Sequence, residues 1–154
     1  MSDVAFPAPH ELVEAGLAAS GTDECLVLVR EHSRANVRFA VNRACMAARK
    51  PLVSGAAIRY TGQVAIFDPR DPASPCYACL YDEGLEELGN CRQNGVLAPL
   101  TGVIGSLMAV ETLKLLTGSG RPLLNRLLRF DAASGELHAT RLEKDPACPV
   151  CSRP

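Results

Sequence analysis

Apolar positions along the chain alternate between short continuous runs and helix-spaced stretches. "LVEAGLAA" (12–19) has helical spacing, and "ECLVLV" (24–29) is a short apolar run of the kind found in parallel strands covered on both faces. "SRANVRFAVNRACMAARK" (33–50) then places Val37, Ala40, Val41, Ala44 and Cys45 on one helical face, with basic residues at its C-terminal end. "PLVSGAAI" (51–58) reads as the next buried strand. Together these segments predict a strand, helix, strand unit, the building block of a doubly wound sheet.

The pattern then changes. "GQVAIFD" (62–68) is a strand with mixed faces, and Pro69, Pro72 and Pro75 lead into "SPCYACLYD" (74–82). "YDEGLEELGNCRQNG" (81–95) carries few core residues and reads as an exposed loop with some helical character. A buried helix is expected from about Ala98 to Leu116, ended by Gly118 and Gly120 with Pro122 beyond. "LLRFDA" (127–132) and "ELHATRLE" (136–143), joined by "ASG", predict an antiparallel hairpin.

With 154 residues, 47% hydrophobic and 21% charged, the chain is expected to form a single domain spanning 1–154. Sixteen basic against 17 acidic residues give a net charge of -1, so nucleic acid and anionic membranes are not the expected partners. The longest uncharged run, "NGVLAPLTGVIGSLMAV", stops at Glu111 and is interrupted by Pro99, Gly102 and Gly105. It falls short of the roughly 18 to 20 apolar residues of a membrane span. The opening "MSDVAFPAPHELVEAGLAASG" has acidic residues and prolines where a signal peptide needs a basic start and an apolar run, so a cytoplasmic protein is expected.

Seven cysteines, an odd number without an export signal, point to thiols used for metal or chemistry rather than to a disulfide framework. Cys76 and Cys79 form one C-x-x-C pair, Cys148 and Cys151 a second. Each pair puts two thiolates on one tight turn, so the two pairs supply the four corners of a tetrahedron around a soft cation such as structural zinc. Pro75 and Pro149 stiffen these turns. The alternative is redox dithiols or unrelated buried thiols, and 68 residues separate Cys79 from Cys148, far more than in a compact zinc ribbon.

Three stretches taken together, "NRACMAARKPLVSGAAIRYTGQVAIFDP", "SPCYACL … NCRQNGVLAPLTGVIGSLMAVETLKLLTG" and "LLRFDA … DPACPVC", resemble the C-terminal half of the MoeB/ThiF/HesA family of adenylyltransferases, related to ubiquitin-activating enzymes. The resemblance covers residues 38–151 and leaves 1–37 as a divergent segment. It implies an α/β fold: part of a doubly wound, Rossmann-like sheet of the ubiquitin-activating type, an antiparallel C-terminal hairpin and a four-cysteine zinc site. It further implies ATP-dependent adenylation of the C-terminal glycine of a ubiquitin-like sulfur carrier, of the molybdopterin or thiamin type, by a homodimer or by a heterodimer with a full-length homologue.

By the same resemblance the zinc ligands fall on Cys76, Cys79, Cys148 and Cys151, and a carrier-linking thiol on Cys91. Arg92 beside Cys91 favours a thiolate, while a spare exposed thiol is the alternative. Arg38 and Asn42 match the family's R-x-x-x-N pattern in its Mg-ATP region, and "SGAAIRYTGQ" matches the groove for the carrier's glycine tail. There, Gly55, Ala56 and Ala57 let an extended peptide approach, and Arg59 meets its carboxylate; the alternative is simple sheet packing.

Two departures stand against this pattern. The G-x-G-x-x-G turn that cradles phosphates in the family's nucleotide-binding half does not occur in the sequence. Where the family carries an Asp-Asn pair whose aspartate helps hold magnesium, this chain has Ser33 and Arg34. The expectation is therefore a truncated or fragmentary family member, not active alone, with a non-catalytic, zinc-stabilised module that binds the carrier or a full-length homologue as the second reading.

Overall fold

A computed structural model describes residues 26–28, 35–82 and 95–152. Its elements are β1 (Leu26–Leu28), α1 (Ala35–Ala48), β2 (Leu52–Ile58), β3 (Thr61–Phe67), α2 (Tyr77–Leu80), α3 (Ala98–Thr117), β4 (Arg126–Asp131) and β5 (Glu136–Arg141). The helix expected at 12–19 lies outside the described residues.

The expected strand, helix, strand unit is present, with β1 and β2 paired in parallel, Leu26 opposite Leu52. The rest of the sheet corrects the doubly wound expectation. Among the described residues its order is β1-β2-β3-β4-β5, and the strand pairs β2–β3, β3–β4 and β4–β5 are antiparallel. The reversal happens at Arg59 and Tyr60, where β2 turns straight back into β3 instead of crossing over through a helix. Arg59 holds a left-handed backbone (φ 52°), uncommon for a non-glycine residue. The turn is braced on both sides: the Arg59 N–H donates to Gly95 O (3.0 Å), Leu97 N–H donates to Arg59 O (2.8 Å), and Ala132 N–H donates to Tyr60 O (2.8 Å).

Because successive strand residues point to opposite faces, β2 and β3 feed two separate cores. Val53, Ala57, Val64 and Ile66 join Leu100, Ile104, Met108 and Leu123 under α3. Leu52, Ala65 and Phe67 join Phe39, Cys45, Tyr77 and Leu142 on the other face. The sheet is thus sandwiched between α3 on one side and α1 with α2 on the other.

Burial refines the sequence expectation for two helices. Among the α1 residues whose burial is described, Phe39, Asn42 and Cys45 are buried, Val41 is partly buried against the same core and Ala40 is exposed, so the inward face keeps Cys45 and Val41 as expected but centres on Phe39 rather than Ala40. Phe39 decides this, because its ring offers more apolar area to bury than any alanine. The predicted limits of α3 hold, with Pro99 in its first turn and Gly118 ending it in the left-handed region (φ 66°). It is not buried all round, however: Leu100, Ile104, Met108 and Glu111 form one inward stripe, and Val103, Val110, Leu113 and Leu116 are exposed. By length and composition alone α3 could cross a membrane, but that stripe rests on the sheet. Glu111 is held there by Lys114 Nζ (2.6 Å) and by the N–H of Leu123 (2.8 Å).

The hairpin of β4 and β5 forms as expected, closed by Gly135 in the left-handed region (φ 77°) and by the Asp131 carboxylate, which accepts from Ala133 N–H at 2.8 Å.

The approach of α3 to the sheet depends on two glycines. A Cβ at Gly55 would overlap Met108 Sδ and meet Ile104 Cγ2 at 3.0 Å; one at Gly62 would overlap the Ile104 side chain and press Leu100 Cδ1 at 3.1 Å. Gly62→Val should therefore cost about 1–3 kcal/mol in urea unfolding, with part of the loss recovered when Ile104→Ala is added. Equal losses with and without the second change would show that α3 does not rest on Gly62.

Candidate metal centre

After β3 the chain is folded into a tight loop by Asp68. The Asp68 carboxylate accepts from Arg70 three times, from its N–H (3.0 Å) and Nε (2.9 Å) at Oδ1 and from Nη2 (2.7 Å) at Oδ2. The Asp68 N–H donates across the loop to Ser74 Oγ at 3.1 Å. Burial works to raise the Asp68 pKa, but the hydrogen bonds and charge of Arg70 outweigh it and hold the carboxyl below its usual value. This loop delivers Pro75 and Cys76 into the interior, where Cys76 starts the one-turn helix α2 and Cys79 lies within it.

A second loop brings the other pair. Asp145 organises it: its carbonyl accepts from Cys148 N–H (3.1 Å) and Ser152 Oγ (2.6 Å), and its carboxylate from Ala147 N–H (2.8 Å). Lys144 Nζ ties this segment to the first loop through Pro72 O at 3.0 Å.

The four sulfurs of Cys76, Cys79, Cys148 and Cys151 lie within 4.8 Å of one another. Short approaches run between the pairs, Cys76 to Cys148 at 3.6 Å and Cys79 to Cys151 at 3.4 Å. Four thiolates bound tetrahedrally at about 2.3 Å would stand about 3.8 Å apart, so these residues fit a metal ion with little movement. A redox dithiol needs only one pair, and the meeting of both favours the four-ligand reading.

Without a metal, three of the four thiols are held above their ordinary pKa. Burial pushes the Cys76 thiol up to about 11 against a lowering hydrogen bond from Asn42, and burial likewise pushes Cys79 up to about 11. Burial also raises Cys151. For Cys148 burial is outweighed by hydrogen bonds from the backbone N–H groups of Cys151 and Val150, and its pKa is lowered. A metal bound there would displace the thiol protons, and its charge would offset the repulsion among the four resulting thiolates.

The remaining sequence candidates are dispersed. Arg38 and Asn42, both on α1, meet Tyr77: Arg38 Nη1 donates to the Tyr77 hydroxyl (3.3 Å) and Tyr77 N–H donates to Asn42 Oδ1 (3.0 Å). Asn42 is 1% exposed and faces Cys76. Gly55 and Ala57 lie beneath α3, whereas Ala56 is on the opposite face, across from Gln63, whose amide donates to the Tyr81 hydroxyl. Arg59 is exposed in the turn after β2. Cys91 lies outside the described residues, as do Arg92, Ser33 and Arg34. Sequence reasoning missed Asp68 and Asp145 as organisers, although both stand directly before a proline ahead of a cysteine pair, a turn signal in itself.

Comparison with known proteins places this arrangement. A family model described as "ThiF family" matches residues 26–150. Molybdopterin-synthase adenylyltransferase of Escherichia coli (strain K12) is 38% identical over 152 residues, covering 94% of this chain and 61% of that protein. Adenylyltransferase and sulfurtransferase MOCS3 of Anopheles gambiae is 40% identical over 129 residues, 82% of this chain and 29% of that protein. This chain therefore spans about three fifths of the first of these and under a third of the second. In fold it is similar to the crystal structure of E. coli MccB with ATP, with a TM-score of 0.66 at 21% identity over 81% of this chain and 38% of that one.

Asp68→Asn should lower stability at neutral pH by up to about 1 kcal/mol, since the exposed Arg70 side chain loses its charged partner. Because the folded pKa is lowered, this contribution is present above about pH 4 and lost as pH falls through the folded value. Urea midpoints measured from neutral pH down to about pH 2 should fall less steeply for the variant than for the parent; parallel curves would remove the role assigned to Asp68.

Proposed function

We infer that this chain, which belongs to the ThiF family, serves in the ATP-dependent adenylation of the C-terminal glycine of a ubiquitin-like sulfur carrier. The observation that carries this reading is the 38% identity to a molybdopterin-synthase adenylyltransferase across 94% of the chain. The four-cysteine cluster supports it, since the residues fit zinc in number, softness and spacing. Zinc there would be structural, with all four positions taken by protein sulfur.

Within this reading Cys91 is the proposed thiol that joins the carrier's C-terminus. Arg38, oriented by the Tyr77 hydroxyl, is the proposed contact to the nucleotide. For the carrier's tail we assign the side of β2 that bears Ala56, ending at Arg59, because Gly55 and Ala57 are taken up by packing under α3. The phosphates of Mg-ATP need a glycine-rich cradle, and the proposed source is a full-length homologue paired with this chain. ATP supplies the activating group and pyrophosphate as leaving group; this chain holds and orients the carrier's tail.

Ser33 and Arg34, where the family pattern has Asp-Asn, favour a second reading: a non-catalytic, metal-stabilised module that binds the carrier or the homologue. Titration calorimetry of the zinc-loaded chain separates the two. In the first reading, carrier ending in Gly-Gly binds, and a full-length homologue adds Mg-ATP binding and carrier-dependent release of pyrophosphate. If the carrier binds but the mixture never turns over, the module reading replaces the first. If neither carrier nor homologue binds, both fail.

Metal analysis of the purified chain should give one zinc per chain, with Cys76→Ser and Cys151→Ser each reducing it and a strong chelator lowering the melting temperature. Full zinc content in both variants would refute the four-ligand assignment.

A further inference from the structure

Asn42 is the buried polar side chain that the family pattern leaves without a role at the cysteines. It comes from α1, 34 residues before Cys76, and is 1% exposed. Both ends of its amide are used. Oδ1 accepts from Tyr77 N–H at 3.0 Å, and Nδ2 points at Cys76 Sγ at 3.6 Å, within reach of an N–H···S hydrogen bond. The reversed amide would set a carbonyl against the sulfur and an NH2 group against an N–H, so hydrogen-bond chemistry fixes the orientation.

We propose that Asn42 is a positioning residue of the metal centre, holding Cys76 Sγ in its ligating direction through the side-chain amide while its carbonyl oxygen fixes the turn that carries this ligand. The inference rests on the reading that the four cysteines hold a metal. Donors to ligand atoms orient them and spread their charge, and removing such a partner typically weakens metal affinity 10–100-fold. The neighbouring sulfurs receive backbone donors: Cys76 N–H donates to Cys79 Sγ at 3.4 Å, and the amides of Cys151 and Val150 serve Cys148. The Cys76 donor belongs to a side chain from another element and can be removed by substitution, whereas Cys151 Sγ has the hydroxyl of the adjacent Ser152 at 4.0 Å. It also ties the first cysteine turn to the middle of α1, so that a ligand turn between two loops is referenced to a rigid element.

Two substitutions separate this role from simple capping of the turn. Asn42→Asp keeps an acceptor for Tyr77 N–H but replaces the donor facing the sulfur with a carboxylate; Asn42→Leu removes both bonds. Zinc affinity of the full chain is measured by competition with a chromophoric chelator, and Co2+ binding by its thiolate charge-transfer bands. Both variants should bind zinc about 10–100-fold more weakly than the parent, with the Co2+ bands shifted. An Asn42→Asp chain that binds as tightly as the parent, with unshifted bands, would overturn the proposal and leave only the cap. One measurement needs no variant: in the parent chain loaded with 113Cd, a long-range proton–cadmium correlation should reach the Asn42 side-chain amide through Cys76 Sγ. Absence of that correlation in a fully loaded sample overturns the inference even if both variants fail to fold. A parent chain that shows no tetrathiolate Co2+ spectrum overturns the metal reading itself, a result distinct from tight metal binding that ignores Asn42.

Discussion

A phenol buried to 2% exposure must place both its ring and its polar atoms, and Tyr77 does so with residues of α1 and β3 and with Tyr81 just beyond α2. Its ring stands edge-on to Phe39 (5.3 Å between centroids) and Phe67 (6.0 Å) and lies tilted against Tyr81 (4.5 Å). Its hydroxyl and backbone amide go to Arg38 and Asn42 on α1. Such a residue has few positions open to it, because leaving either group unpaired would cost about 1–3 kcal/mol. Since Cys76 is its immediate neighbour, placing Tyr77 places the first ligand turn relative to α1 and β3 together.

Much of this was legible in the sequence, for reasons that differ by element. The cysteine spacing carried its own geometry, because C-x-x-C fits a turn whatever surrounds it. The hairpin of β4 and β5 and the end of α3 at Gly118 were legible because glycine marks backbone that other residues avoid. The antiparallel turn at Arg59 and Tyr60 was not: neither residue is a turn former, and the left-handed backbone there is supported by Gly95, Leu97 and Ala132, partners far along the chain. Reading "PLVSGAAI" as a parallel strand was right about its first neighbour and silent about its second.

The inward face of α1 was read only in part, and that of α3 was not assigned, for a common reason. Periodicity weighs residues by type, whereas the core selects by volume and by what lies opposite. Phe39 outweighs Ala40 on α1, and α3, apolar on most sides, is oriented by the two glycines beneath it rather than by its own pattern. Glu111 belongs to the inward stripe because Leu123 offers an amide there, a partner that helix periodicity does not contain.

The joining of Cys76 to Cys148 links positions 72 residues apart. Were a cation to stay bound to both pairs in the denatured chain, it would exclude the unfolded conformations in which those ends drift apart. Loop-closure entropy grows only logarithmically with length, so a ring of this size confers nearly as much restriction as a far longer one, on the order of 4–5 kcal/mol in the chain-entropy model for a covalent link. Unlike a disulfide, this fastening would respond to the supply of metal instead of the supply of oxidant.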